Sequence, residues 1–213
     1  MSATERSRTG SDFWDERYRG KEFAYGSAPN RWLEAQAGAI EPGGRVLCLG
    51  EGEGRNAVWL AERGFSVDAV DASPVGLEKA RRLAAERGVR IRTQVDDLAT
   101  YRPDPSAYDA LVLVYVHMPP VIRAAVHAAG AAALKAGGIV IIEAFAPRQL
   151  GRESGGPPRL EMLFDTADVR ADFPRVDWYV LEEAEIDLDE GTFHRGPAAV
   201  VRGVGRAGNA RGP

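Results

Sequence analysis

The sequence predicts an α/β fold in which parallel strands are joined by crossover helices, and three observations carry that expectation. Short apolar runs alternate with longer amphipathic stretches along most of the chain. The first apolar run ends in three alternate glycines, Gly50, Gly52 and Gly54, and opens into a stretch of helical character. Residues that start and stop helices stand between the runs, in the right order.

The strands are the β-branched or apolar runs "RVLCLG" (45–50), "FSVDAVD" (65–71), "VRIRTQV" (89–95), "YDALVLVYV" (108–116) and "GGIVIIEAF" (137–145). Helices fill the gaps. The first spans about 55–63 and stops at Gly64, and the second has Ser73 as N-cap, Pro74 at its first position and Gly88 as terminator. A third is expected from "MPP" (118–120) to about Leu134, before the turn "KAGG". The Gly-, Pro- and charge-rich stretch 147–160 reads as a loop over one edge of the sheet, followed by a brief helix capped by Thr166. Two extended runs, 175–188 and 196–206, flank "DEGTFH" and predict an antiparallel hairpin.

Composition limits the functions available. With 213 residues, 45% hydrophobic and 27% charged, one domain with short appendages is expected. A single cysteine, Cys48, excludes an intrachain disulfide and lies where a buried thiol is expected. The net charge of −4 offers no general attraction to nucleic acid. No apolar run approaches the ~20 residues of a membrane span, and the polar start lacks the core of a signal peptide, so a cytoplasmic location is expected. No tight His/Cys cluster suggests a metal.

A strand ending in glycines and opening into a helix lets a nucleotide-like ligand approach the backbone. "GEGRNA" (52–57) fits a dinucleotide fingerprint, and Asp71 lies 19 residues beyond Gly52, near the spacing of a ribose-binding carboxylate. Alone this allows NAD. Against NAD, Glu51 and Glu53 put negative charge beside the helix N-terminus where a pyrophosphate would sit, and no Tyr-x-x-x-Lys pair is present. A cationic ligand fits better, and S-adenosylmethionine, a sulfonium with an ammonium and no phosphate, is one.

On "VLCLGEGEGRNAVWLAERG", "VDAVDASPVGLEKAR" and "VDDLATY", the chain resembles the class I S-adenosylmethionine-dependent methyltransferases, in the small-molecule branch that includes tellurite-resistance and thiopurine enzymes. The resemblance implies a Rossmann-like, doubly wound sheet of seven mostly parallel strands with an antiparallel last strand and helices on both faces. It implies a lid over 1–40 and a cofactor-binding domain over 41–206, while the last seven residues, 207–213, read from the sequence as a flexible tail. It places Gly50, Gly52 and Gly54 in the cofactor turn, with Asn56, Ala72 and Val116 around it. Asp71 would take the ribose hydroxyls, Asp97 the adenine amino group, and Leu98 would offer its backbone. Tyr18 and Tyr25 would close over the cofactor. The family's acidic residue two places before the first glycine is here Cys48, and Glu51 stands where a small residue is usual, so the Glu51 carboxylate is expected to replace that acid toward the cofactor's ammonium.

The expected reaction is in-line displacement at the sulfonium methyl by a small-molecule nucleophile (a thiol, a chalcogen oxyanion or a heteroaromatic acceptor), yielding S-adenosylhomocysteine. His117, after the fourth strand, is the candidate base, and Phe145, Arg148, Arg152, His194 and Arg195 are candidate substrate contacts. Bland roles compete: Asp71 as a helix cap, Asp96 in place of Asp97, Glu51 facing solvent, His117 stabilising a turn, His194 merely exposed, and the N-terminal aromatics as a hydrophobic contact. His127, in mid-helix, reads as structural. An NAD-dependent oxidoreductase and a non-catalytic S-adenosylmethionine-binding protein are the alternative functions.

Overall fold

The computed structural model describes residues 10–208. They form one seven-stranded sheet with helices on both faces. Its elements in chain order are α1 (Ser11–Tyr18), α2 (Arg31–Gln36), β1 (Arg45–Leu49), α3 (Arg55–Glu62), β2 (Ser66–Asp71), α4 (Pro74–Glu86), β3 (Arg92–Val95), β4 (Tyr108–Val114), α5 (Pro120–Ala133), β5 (Leu134–Phe145), α6 (Thr166–Asp172), β6 (Val176–Asp189) and β7 (Arg195–Ala207). The strand order is β3-β2-β1-β4-β5-β7-β6. The β1–β2, β1–β4, β2–β3 and β4–β5 pairs are parallel, and β7 runs antiparallel to both neighbours.

The central strands read as continuous apolar runs because both faces are covered. Val46 and Cys48 of β1 point into one core with Trp32, Leu60, Leu77 and Ile141. Leu47 and Leu49 point into the other, with Leu111, Ile142, Phe164 and Phe173. Single-residue alternation thus fills two cores from one strand. Within the expected lid, α2 contributes Trp32 and Leu33 to the first core. Only the part before it lies over the glycine loop.

Local chemistry sets the helix starts. Ser73 caps α4, its Oγ accepting from Gly76 N at 3.0 Å, with Pro74 at the first position. At α6 the cap is Asp165 instead of the expected Thr166. Asp165 Oδ1 accepts from Ala167 N and Asp168 N, and Asp168 reaches back to Asp165 N, a complete capping box that leaves Thr166 as the first helical residue. The "KAGG" turn also differs from expectation. It lies within β5, whose register against β4 jumps from Tyr108↔Leu134 to Ala110↔Ile139, so the turn is absorbed as a bulge. Strand β4 ends two residues early because Tyr115 adopts φ 55°. Of the expected tail, Ala207 closes β7, Gly208 N donates to Arg175 O, and 209–213 lie outside the described residues, as do 1–9 of the lid.

Candidate functional site

The carboxyl ends of β1, β2, β4 and β5 gather at one end of the sheet, where open α/β sheets hold ligands. The loop leaving β1 turns through Gly50, Gly52 and Gly54 at φ 66°, 60° and 90°, a region that favours glycine. A Cβ on each would also collide. It would stand 2.8 Å from a Val116 methyl at Gly50, 2.6 Å from the Tyr18 hydroxyl at Gly52 and 2.5 Å from the Ala80 Cβ at Gly54. The three glycines are required by conformation and packing before any ligand is considered.

The two carboxylates of the loop have different tasks. Glu51 turns inward, and its Oε1 accepts from Asn56 N at 3.0 Å and Ala57 N at 2.8 Å. It therefore covers the N-terminus of α3, the place where a phosphate would bind. Burial pushes its carboxyl up to about 7, against the backbone bonds and the Arg55 charge. Burial and the Glu51 carboxylate together raise the Cys48 thiol well above its ordinary value. The solvent-facing alternative for Glu51 is thereby corrected. Glu53 forms a buried ion pair with Lys79 at 2.5 Å and accepts from Ala24 N at 2.8 Å. The same ammonium donates to the carbonyls of Tyr18, Gly20 and Glu22. Loop, α4 and N-terminal segment are thus fastened at one point.

Asp71, at the end of β2, is buried, and burial raises its carboxyl. Its Oδ2 accepts from Gly52 N and its Oδ1 from Ser73 N, both at 2.8 Å. The cap of α4 is Ser73, not Asp71. Ala72 follows at the rim, and Val116 packs on Gly50. Asp97 is exposed after β3, its Oδ1 accepting from Ala99 N, while Asp96 is bonded by Gln94 and Leu98 is buried. Asn56 faces α2, accepting from Asn30 N.

Tyr18 lies over Gly52 and Gly76 and stacks on Trp14 at 5.6 Å. Tyr25 accepts from Arg17 through its hydroxyl and packs on His194 at 4.5 Å. Ala24 O accepts from Thr192 N, and Gly26 abuts Gly191. The segment 18–26 thus docks on the loop and on the β6–β7 turn together.

Beside the loop is a packed aromatic cluster. Tyr115 stacks on Phe145 at 4.7 Å and meets His194 edge-on at 4.5 Å. Beneath it, Glu143 Oε1 accepts from Asn30 Nδ2 at 2.7 Å and Tyr115 OH at 3.0 Å. Glu190 pairs with Arg55 at 2.8 Å and also accepts from Asn30. Glu143, Glu190, Asn30, Arg55, Lys79 and Tyr115 were not singled out from the sequence. The available signal was an acid inside an apolar run, "IVIIEAF".

His117 does not fit the role of base. Its Nε2 accepts from Phe145 N at 3.1 Å, so Nδ1 carries the proton and donates to Met162 O at 2.8 Å. Burial lowers its pKa to about 4. With both nitrogens committed to main chain, the ring cross-links β4, β5 and the 160–162 turn. Three expected substrate arginines are engaged elsewhere. Arg152 makes a forked pair with Glu185 at 2.5 and 2.9 Å, Arg148 lies 3.6 Å from Glu183, and Arg195 is exposed 3.8 Å from Asp189. His127 is buried against Asp172, as its structural reading requires. Among the described residues, no group of three or more His, Cys, Asp or Glu could hold a metal ion, and no helix is long and apolar enough to cross a membrane.

Residues 46–138 match the family described as "Methyltransferase domain". The chain is 33% identical over 99 residues to the 2-heptyl-1-hydroxyquinolin-4(1H)-one methyltransferase of Mycobacteroides abscessus, covering 42% of this chain and 44% of that one. The chain spans about two fifths of the length of the curated relatives it matches. In structure it is similar to a protein solved in work on conversion of a disulfide bond into a thioacetal group during echinomycin biosynthesis, with TM-score 0.76 and 21% identity over 94% of this chain and 93% of that one. It is also similar to TehB from Haemophilus influenzae, with TM-score 0.69 and 17% identity over 92% of this chain and 66% of that one.

Proposed function

We propose that this chain, which carries a methyltransferase domain over 46–138 on the class I S-adenosylmethionine-dependent fold, transfers a methyl group from S-adenosylmethionine to a small-molecule nucleophile. One observation carries the choice of cofactor. The Glu51 carboxylate covers the N-terminus of α3, so the loop repels a pyrophosphate and suits an ammonium. The same observation disfavours NAD. The donor set fits the cofactor: carboxylates at Glu51 and Asp71 for an ammonium and a diol, and no anion cradle.

When bound, S-adenosylmethionine supplies a methyl on a sulfonium, which passes to the acceptor's lone pair in line with the departing sulfur. The protein's part is to position. Gly50, Gly52 and Gly54 shape the turn, Asp71 takes ribose hydroxyls, Asp97 and Leu98 address the adenine, and Ala72, Asn56 and Val116 border the site. Tyr18 and Tyr25 cover it and exclude water. Phe145 and His194, with Tyr115, wall the acceptor. Holding the reacting atoms ~3 to 3.5 Å apart in line supplies on the order of 7 to 11 kcal/mol in the best intramolecular cases, so a soft nucleophile needs little further help. The acceptor classes proposed, as the family resemblance implies them, are thiols, chalcogen oxyanions and heteroaromatic acceptors.

Calorimetric titration with S-adenosylmethionine, S-adenosylhomocysteine and NAD tests the cofactor, with binding of the first two and not the third expected. Transfer of labelled methyl to small thiols, selenite, tellurite and hydroxylated heteroaromatics, run beside tRNA, DNA and peptides, tests the acceptor class. Label confined to a polymer fraction would overturn the small-molecule reading, and binding without transfer to any acceptor would favour a non-catalytic binding protein.

A further inference from the structure

We infer that His194 is the general base of the acceptor site, with Glu190 as the positioning residue that sets its tautomer. The inference rests on the methyl-transfer reading above and adds a proton acceptor to it. His194 lies in the β6–β7 turn, enclosed by Tyr25 at 4.5 Å, Tyr115 at 4.5 Å and Phe145 at 5.2 Å. It is only 6% exposed.

The two histidines of the aromatic cluster differ in what their nitrogens do. Both nitrogens of His117 are spent on main chain. His194 Nδ1 is enclosed, has no hydrogen-bond partner and faces Glu190 Oε2 at 3.7 Å. That separation is longer than a hydrogen bond, as catalytic contacts often are before substrate arrives. Glu190 is a fixed anion. Burial works against its charge, but the Arg55 guanidinium, paired with it at 2.8 Å, helps hold the carboxyl down to about 2. An anion facing Nδ1 favours the proton there, which leaves the Nε2 lone pair to act as acceptor.

Burial also lowers the His194 pKa, so the ring is neutral near neutral pH and ready to receive a proton. The titratable and charged groups facing it are Glu190, Arg55, Arg17, Tyr25, Tyr115 and His117. The cofactor loop is close. Tyr115, in edge contact with His194, is followed by Val116, which packs on Gly50.

The step balances without a further reactant. As the acceptor's O–H, N–H or S–H bond breaks, its proton moves to Nε2 and its electron pair stays on the acceptor atom. That pair forms the new bond to the methyl carbon while the carbon–sulfur pair returns to sulfur, and Nε2 later gives its proton to water. The acceptors that need this are hydroxyls and other groups still protonated at neutral pH. A pre-ionised thiolate does not.

The test uses the full chain. Nitrogen-15 NMR of the histidine rings, with His194 assigned through His194→Asn, reads the tautomer directly. A neutral ring with the proton on Nδ1 is expected, and Glu190→Gln should weaken that preference. In the labelled-methyl assay, His194→Asn should lower kcat on a hydroxylated heteroaromatic roughly 10²- to 10⁴-fold. It should also remove the acidic limb of the pH profile, and it should lower turnover of a low-pKa thiol far less than turnover of the hydroxyl acceptor. A proton on Nε2 in the wild type, or kcat on the hydroxyl acceptor within about twofold of wild type in His194→Asn, would overturn the assignment. A wild type that methylates nothing would defeat the methyl-transfer reading instead, and the tautomer would still decide on His194.

Discussion

Replacing Lys79 by Met tests the fastening of the N-terminal segment to the glycine loop. The ammonium is 2.5 Å from Glu53 Oε1, and the two side chains are 3% and 4% exposed. Methionine keeps the length of the stem and removes the charge, leaving Glu53 with Ala24 N as its hydrogen-bond donor. Breaking a buried pair by removing one partner costs about 3–5 kcal/mol, because the other charge stays buried and uncompensated. For a chain of this size each kcal/mol lowers Tm by roughly 2–4 °C, so a fall of about 6–20 °C is expected. The double variant Glu53→Gln with Lys79→Met should recover much of that. It should stay below wild type by about 1–3 kcal/mol, since the carbonyls of Tyr18, Gly20 and Glu22 still lose their donor. Urea unfolding of the four members of the cycle gives the coupling, and limited proteolysis within 19–24 reports whether the segment has come loose. A Lys79→Met variant within about 1 kcal/mol of wild type, or no coupling between the two sites, would refute the reasoning.

Three other perturbations follow from the same geometry. Asp71→Asn removes the charge facing the ribose while keeping an oxygen for Gly52 N. S-adenosylmethionine affinity by calorimetry should fall by roughly 10- to 150-fold, the equivalent of about 1.5–3 kcal/mol for hydrogen bonds to a charged group. Glu51 carries a raised folded pKa, about 7 against an ordinary 4.5. The stability it contributes is therefore full below the ordinary carboxyl range and is lost as pH rises through about 7, while its attraction for an ammonium grows over the same interval. S-adenosylmethionine should bind more tightly as pH rises from about 6 to about 8, Glu51→Gln should flatten that rise, and adenosine should show neither effect. A flat wild-type profile would count against Glu51 as the ammonium's partner. Gly54→Ala should destabilise by about 2–5 kcal/mol in thermal unfolding, the sum of about 1–2 for a left-handed non-glycine residue and about 1–3 for the collision with Ala80. A smaller loss would mean that α3 and α4 can separate freely.

Much of the fold is legible along the chain because it is decided by neighbours. The strand–glycine–helix unit at 45–62 needs only apolar residues, three positive-φ positions and a helix former, all within a few residues of one another. Ser73-Pro74 starts α4 by contacts that reach no farther than Gly76. The β6–β7 hairpin follows from two extended runs and a polar turn. The misplaced start of α6 is also a local matter, since Asp165 and Thr166 are both good caps, and the capping box with Asp168 decides between them. The bulge in β5 is different, because it depends on how β4 lies beside it.

By itself the sequence determined the α/β order, the glycine turn, the position of Asp71 at a strand end and the presence of carboxylates where a phosphate loop would exclude them. The tertiary structure alone decided what those carboxylates do. Glu51 faces inward because the N–H groups of Asn56 and Ala57 converge on it, and Glu53 is neutralised by Lys79, which lies on a separate helix. The polar network beside the loop is assembled across still longer separations: Asn30 reaches Glu143, 113 residues away, and Arg55 reaches Glu190, 135 residues away. Periodicity reports which face of an element is buried, but not which distant element covers it. Strand register and helix packing supply that information, and they separate His117, bound on both nitrogens by main chain, from His194, whose Nδ1 faces a buried anion.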